Sequence, residues 1–355
     1  MKDLKYYKEG DYLYSDMLDK IRDASKSIDI ESYIFANDDI GSDFISILKI
    51  KAKQNIRVRV LLDSICSNRF KNRAYFRNLI NNNVQVKWFN PWSWRSPLRF
   101  NKRNHRKLMI IDNNSCFLGG FNIHNESSQK YFGVNRWKDS HISFKGSLSM
   151  QLGQQFNLMW NGHEKKLEEI VSIDSLTKVL PNYSRSCRRL LRCSYLESIS
   201  NSKSTIRVTT PYFVPDSKML KALISASNSS IKIILLVPKY TDHALLKYAA
   251  YWYYKKLLAS GILIYEFNSR MLHSKNMIID DQLAVIGSAN LDYRSFFLNN
   301  EIMLFSKRQD LITHIQKDFD ECIHSSNEVT LKDNSKRSHF SLFGTFIAYQ
   351  LRKWL

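Results

Sequence analysis

An α/β fold of two matching units is what this sequence predicts, and two observations predict it. Four segments recur in the same order in each half of the chain, and short apolar or β-branched runs alternate with amphipathic stretches. The first half runs KSIDIESYIF, NIRVRVLLDS, NVQVKWFN and HRKLMIIDNNSCFLGGFN. The second runs STIRVTTPYFV, SIKIILLVP, GILIYEFN and HSKNMIIDDQLAVIGSAN.

Taken in order, the first three segments of each half are short, β-branched and apolar, the pattern of strands in a largely buried sheet. Between them, Gly41 to Gln54 and Ser217 to Asn228 carry helical spacing, so each half reads as strand-helix-strand. The fourth segment opens as a further strand, HRKLMII or HSKNMII. Residues 172–204 are rich in Ser, Arg and Asn, contain Pro181 and show no strong strand pattern, so the junction is placed there. The expected organisation is a first domain over 1–171, a junction over 172–204, a second domain over 205–337 and a C-terminal amphipathic segment over 338–355.

With 355 residues and 44% hydrophobic content, the chain can bury two ordinary cores. Lys and Arg number 53 against 33 Asp and Glu, a formal charge of +20 that favours polyanionic partners, either nucleic acid or an anionic membrane surface. Five scattered cysteines without CxxC spacing indicate neither a disulfide framework nor a zinc site, and a reducing compartment is the natural reading. The N-terminal stretch lacks the apolar core of a signal peptide, and no stretch reaches the ~20 apolar residues that span a bilayer. A soluble or peripheral protein is expected.

The chemistry lies in the fourth segment. His105, Lys107 and Asp112 are followed by Gly119-Gly120 and Asn122; His273, Lys275 and Asp280 by Gly287-Ser288 and Asn290. Each pair is separated by the same interval, since 273 − 105, 275 − 107, 280 − 112, 287 − 119 and 290 − 122 are all 168. On a strand, positions i and i+2 point to one side, which sets an imidazole beside an ammonium. The glycines are expected to let the backbone turn closely at a phosphate and bring Asn122 or Asn290 back as a donor. Two Lys and two Asn can then stabilise a pentacoordinate phosphorus without a metal, so no cofactor and no metal ion are expected.

At these residues the chain resembles the phospholipase D superfamily, whose signature is a duplicated HxKxxxxD motif. Within it the chain is most similar to the bacterial cardiolipin synthases, through IESYIF, VRVLLDS, FNPWSWRSPLRFNKRNHRKL, GGFNIHNE, WKDSHI, TPYFVP and LHSKNMIID. Many members of that subfamily begin with two transmembrane segments, so this chain reads as the shorter, peripheral type. The resemblance implies two α/β/α domains related by a pseudo-twofold axis with the active site at their interface. It further implies that His105 attacks phosphorus to form a phosphohistidine, while His273 protonates the leaving alkoxide and then deprotonates the acceptor. In the family an acidic residue some thirty positions downstream orients each His; Asp139 and Glu301 fit, which pairs His105 with Asp139 and His273 with Glu301. Asp112 and Asp280 read as structural.

Elsewhere, an isolated His is by default a satisfied core or surface residue, and His124, His141, His163, His243, His314, His324 and His339 are read so. Glu31 and Glu126 are left outside the site as carboxylates that pair with neighbouring cations. Trp92, Trp94, Arg95, Arg99, Lys102, Arg103 and Arg106 precede the first motif, and their aromatic and basic character suits lipid headgroups or single-stranded nucleic acid. His243 to Leu258 and Phe340 to Leu355 read as amphipathic helices. In the second, Phe340, Phe343, Ile347, Leu351 and Trp354 share one face, which either lies in a membrane interface or packs on the second domain.

The resulting expectation is a phosphatidyl transferase acting on phospholipids, with phosphatidylglycerol as substrate, at the cytoplasmic face of the membrane. Water as acceptor would make it a phospholipase D hydrolase. The same chemistry on nucleic acid would make it a nuclease, against which the subfamily segments weigh. A non-catalytic lipid-binding protein is disfavoured by two intact His-Lys-Asn sets.

Overall fold

A computed structural model describes residues 1–65, 67, 73–95, 97–182 and 185–335. The segment Phe340 to Leu355, read as an amphipathic helix, lies outside the described residues.

The first sheet contains β1 (Lys2–Tyr7), β2 (Ser27–Ser32), β3 (Arg57–Asp63), β4 (Gln85–Phe89), β5 (Leu108–Ile111), β6 (Ser115–Gly119) and β7 (His141–Lys145), in the order β1-β7-β6-β5-β2-β3-β4. Then follow β8 (Ile170–Val171), β9 (Thr177–Asn182), β10 (Thr205–Thr209), β11 (Phe213–Val214), β12 (Lys232–Pro238), β13 (Leu263–Phe267), β14 (Asn276–Ile279), β15 (Leu283–Gly287), β16 (Leu291–Asp292), β17 (Glu301–Ser306) and β18 (Ser326–Val329). The second sheet runs β18-β13-β12-β10-β14-β15-β17-β9-β8, while β11 and β16 form a small parallel pair. Six strands match one to one: β4-β3-β2-β5-β6-β7 against β13-β12-β10-β14-β15-β17. In both sets the first three run parallel and the next three antiparallel, so the repeat in sequence is a repeat in topology.

The match extends further than the sequence suggests. β1 pairs antiparallel with β7, and β9 pairs antiparallel with β17, each followed by a helix, Gly10–Asp23 or Arg185–Ser200. The stretch 172–204, read as a junction without strand pattern, thus carries the opening strand and helix of the second unit. Pro181 hid it. It falls on the part of β9 beyond β8, where only one side has a strand neighbour and a residue lacking an N–H is tolerated.

The sheets are joined through a shared core. Leu108, Ile110 and Leu118 from the first and Ile278, Ile286 and Ile302 from the second belong to one apolar cluster, with the helices Ser147–Trp160 and Gln309–His324 contributing Leu152, Phe156, Leu311 and Ile315. Burial of large aliphatic side chains contributes about 1.5–3 kcal/mol each, so this cluster fixes the two halves against each other. Separate outer cores lie under the helices Gly10–Asp23 and Asp39–Lys53 in the first half and Ser217–Asn228 and Ala244–Ala259 in the second. The last of these, amphipathic by its sequence, buries Leu246, Ala249, Tyr253, Tyr254 and Leu257. Among the described residues no helix is long and apolar enough to cross a membrane. Cys116 and Cys322 are buried free thiols, and Cys193 is an exposed one.

Candidate active site

The two motifs stand at equivalent places. β5 begins at Leu108 and β14 at Asn276, so His105 and Lys107, like His273 and Lys275, lie just before the first strand residue rather than within it. Asp112 and Asp280 lie at the far ends of these strands, both at positive φ of 55° and 54°. Asp112 accepts from the backbone N–H groups of Ser25, Lys26 and Ser27 at 2.9, 2.7 and 2.8 Å, and Asp280 from those of Lys203, Ser204 and Thr205 at 2.7, 2.8 and 2.9 Å. Each carboxylate ties the start of one strand to the turn of another and stands away from the imidazoles.

Both His residues line one cavity of about 610 Å³, together with Asn122 and Asn290. Their acidic partners are exchanged relative to the sequence expectation. His105 Nδ1 lies 3.0 Å from both Glu301 oxygens, and His273 Nδ1 lies 2.5 Å from Asp139 Oδ2. The reason is a pair of backbone bridges between the halves. His105 N donates to Asn300 O at 2.9 Å, and Asn300 N donates to Arg103 O at 2.8 Å. Likewise His273 N donates to Lys138 O at 2.6 Å, and Lys138 N donates to Met271 O at 2.8 Å. The segment ahead of each motif therefore runs beside the segment ahead of the other half's acid, and each imidazole meets the carboxylate from across the interface.

With Nδ1 committed to a carboxylate, Nε2 is the nitrogen left to carry the reactive lone pair. Nδ1 of His273 has a second neighbour, Lys275 Nζ at 2.7 Å, yet a single ring nitrogen cannot both donate and accept. Asp139 takes the proton, because burial is outweighed there by Lys275 and His273, which hold its carboxyl below the usual range. Lys275 instead donates to the His273 carbonyl and stands 3.5 Å from Asp139. Lys107 mirrors it, donating to the His105 carbonyl at 2.7 Å and lying 4.9 Å from the Tyr33 ring centre.

The two pairs differ in charge. Burial, with Lys107 and Lys275 nearby, holds His105 well below its ordinary pKa, and burial with Lys275 brings His273 down to about 4. Both imidazoles are neutral before a substrate arrives. Burial pushes Glu301 up to about 7 despite Lys107 and the Ser288 hydroxyl, which donates to it at 2.5 Å. Glu301 thus titrates near neutrality while Asp139 stays ionised.

The glycines act differently from expectation. None of Gly119, Gly120 and Gly287 has positive φ. A methyl group at Gly120 would stand 2.1 Å from Asp139 Oδ1, and one at Gly287 2.2 Å from the Ile302 carbonyl, so these positions admit the carboxylate segment of the crossing pair. The asparagines also differ from each other. Asn122 Oδ1 accepts from Ile34 N at 3.3 Å, which leaves its amide NH₂ for the cavity, whereas Asn290 Nδ2 is donated to Asp292 at 3.3 Å.

Several cavity residues were not anticipated. His124, Glu126 and His243, read as bystanders, all line it, as do Tyr33, Trp137, Tyr212, Asp242 and Arg294. The His124 and Glu126 pair, joined at 2.7 Å, follows Asn122 closely, and that proximity to the motif was the available signal. Glu31 does pair with a cation, Arg106, at 3.2 Å, and both are buried. Among the described residues no group of three or more His, Cys, Asp or Glu side chains is arranged to hold a metal ion.

The model for the phospholipase D (PLD)-like domain described as cardiolipin synthase matches residues 17–160 and 195–323. The chain belongs to the cardiolipin synthase, PLD-like family. Within that family, a cardiolipin synthase of Clostridium perfringens (strain 13) is 31% identical over 362 residues, covering 97% of this chain and 75% of that protein. A cardiolipin synthase of Staphylococcus aureus (strain Mu50) is 29% identical over 353 residues, covering 95% of this chain and 70% of that protein. The PLD-like fold is shared with the crystal structure of the Haemophilus influenzae Rd KW20 phosphatidylserine synthase. The TM-score is 0.74 at 13% identity, over 98% of this chain and 92% of that one.

Proposed function

We propose that this protein is a phospholipase D-type phosphatidyltransferase that moves a phosphatidyl group from one phospholipid to the headgroup hydroxyl of another, with phosphatidylglycerol in both roles. The observation that carries the reading is a single cavity faced by two neutral imidazoles, each held through Nδ1 by a carboxylate from the opposite half. That arrangement supplies one nucleophile and one proton carrier, which a two-step transfer requires.

In the first step His105 Nε2 bonds to phosphorus, the phosphorus–oxygen bond to the leaving glycerol breaks, and His273 gives that alkoxide its proton. In the second the acceptor hydroxyl returns a proton to His273, its oxygen bonds to phosphorus, and the phosphorus–nitrogen bond breaks. A phosphodiester in the cavity brings negative charge that favours a protonated imidazole at His273, where ionised Asp139 stands behind the ring to hold the positive charge. The Asn122 amide faces the added charge on the pentacoordinate phosphorus, and Lys107 and Lys275, whose ammonium groups donate to the His105 and His273 carbonyls, supply positive charge behind the imidazoles.

The protein acts at the cytoplasmic face of the membrane. Supporting this, large apolar side chains are exposed in chain segments that precede or flank cavity-lining residues: Trp92 and Trp94 at 50% and 87% before Arg103, Phe132 and Val134 at 44% and 78% before Trp137, Tyr240 and Leu245 at 56% and 47% beside Asp242 and His243. Exposed apolar side chains of this size suit an interface, and Trp sits well at headgroup level. Buried free thiols fit a reducing compartment.

The test is incubation of the purified protein with vesicles of labelled phosphatidylglycerol, followed by product analysis. Cardiolipin with release of glycerol is expected; phosphatidic acid as the sole product would identify water as acceptor and sink the transferase reading.

A further inference from the structure

The pseudo-twofold repeat is broken at two neighbouring pairs of cavity positions, and at one of them the break is a reversal of charge. At the interval that relates the motifs, 168 residues, Glu126 corresponds to Arg294 (294 − 126 = 168) and His124 to Asp292 (292 − 124 = 168). All four line the cavity.

The two flanks can be assigned. Trp137 N donates to the Glu126 carbonyl at 2.6 Å, and the Trp137 ring centre lies 5.3 Å from His124 and 5.1 Å from His273. Glu126 therefore belongs to the His273 flank. Asp242 joins it, accepting from Tyr212 Oη at 2.5 Å, with the Tyr212 ring 6.5 Å from His273. On the other flank Asn299 N donates to the Arg294 carbonyl at 2.9 Å, and Asn299 Nδ2 reaches Glu301, the partner of His105, at 3.4 Å. The Arg294 guanidinium donates to Asn101 Oδ1 and O at 3.0 and 2.9 Å. Beside His273 the cavity carries the carboxylates of Glu126 and Asp242, whereas the position equivalent to Glu126 on the His105 flank carries the Arg294 guanidinium, with Asp292 next to it.

In-line displacement puts the departing alcohol opposite the attacking nitrogen, and so on the flank of the residue that protonates it. We infer that Glu126 is a specificity-determining residue that accepts a hydrogen bond from the second hydroxyl of the departing and incoming headgroup, selecting polyol acceptors. This rests on the reading of His105 and His273 given above. His124 Nδ1 engages Glu126 Oε2 at 2.7 Å and holds the carboxyl in place, while Ser127 Oγ lies 2.9 Å from His124 Nε2 and fixes the ring. A carboxylate cannot donate to the hydroxyl, so its preference is for a donor, which every glycerol headgroup supplies and a simple alcohol supplies only at the reacting oxygen. A site built to bond a substrate hydroxyl discriminates strongly against the analogue that lacks it.

The experiment is acceptor competition with an unlabelled short-chain, soluble phosphatidylglycerol as donor and equal concentrations of isotopically labelled glycerol and labelled 1-propanol as acceptors, so that the label separates newly formed phosphatidylglycerol from the donor. The glycerol-to-propanol product ratio is measured for the natural protein, Glu126→Gln and Glu126→Leu. The ratio is expected to fall about tenfold in Glu126→Leu and to be partly kept in Glu126→Gln, whose amide oxygen still accepts. A merely structural role would lower both products together and leave the ratio alone, and either that result or an unchanged ratio overturns the inference. Failure of the transferase reading looks different, since the natural protein would then form neither alcohol product.

Discussion

Replacing Glu301 by Gln tests the crossing arrangement most directly. Glu301 is fully buried and accepts from His105 Nδ1 at 3.0 Å, Ser288 Oγ at 2.5 Å and Asn299 Nδ2 at 3.4 Å. Glutamine keeps the shape and removes the charge, so the His105 contact changes from a charge-assisted hydrogen bond to a neutral one, or to a donor–donor clash if the amide nitrogen faces the ring. Hydrogen bonds to charged groups contribute about 1.5–3 kcal/mol, and each ~1.4 kcal/mol of barrier is tenfold in rate, so turnover should fall about 10- to 150-fold. The physical content of that loss is the tautomer: without an ionised acceptor at Nδ1, the proton moves to Nε2 and the nucleophilic lone pair turns away from the cavity. A pH effect has the same origin. With Glu301 raised to about 7, acidification protonates it, and the neutral carboxyl is a weaker acceptor for Nδ1–H that can instead donate its own proton to Nδ1. Activity of the natural protein should therefore rise between about pH 6 and 8 with a limb near 7, and that limb should be missing in Glu301→Gln. The assay is turnover of a soluble phosphodiester across pH, with thermal melting to verify folding. Turnover within twofold of the natural protein, or an unmoved limb, would refute the assignment of Glu301 to His105.

Four further outcomes are expected. His105→Ala and His273→Ala should each abolish turnover, with a trapped phosphoenzyme only where His105 is present; near-normal turnover of His105→Ala beside a dead His273→Ala would reverse the roles. Chelator treatment should leave activity intact because Lys107, Lys275 and Asn122 serve the charge, whereas complete loss restored by a divalent ion, measured on a neutral-surface substrate, would contradict the site. Asp112→Ala should destabilise the fold by about 2 kcal/mol, since three backbone N–H groups lose a charged acceptor and Ala is strained at positive φ; denaturant unfolding reads it, and an unchanged midpoint would remove Asp112 from the fold's supports. Trp92→Ser with Trp94→Ser should weaken co-sedimentation with anionic vesicles while soluble-substrate turnover persists, and full vesicle binding would sink the docking role of that loop.

How far the sequence reached can be judged from particular residues. It determined the α/β class, the two-unit plan and the motif residues, because strands and helices write their periodicity locally and a duplicated His-x-Lys at one fixed interval marks equivalent positions of two like units. The second unit's first strand stayed hidden, since a Pro is a local stop signal unless the neighbouring strand is known to end before it. Only the tertiary structure decided which carboxylate serves which imidazole. Along the chain Asp139 follows His105 and Glu301 follows His273, but the bridges Asn104 to Asn300 and Lys138 to Leu272 join segments from opposite halves. The same holds for Glu126 and Arg294, whose opposite charges become two flanks of one cavity only when the shared core presses the sheets together. Local sequence carries the identity of such side chains; their partners come from contacts nearly two hundred residues apart, as His105 and Glu301 are at 196, and no local period records those.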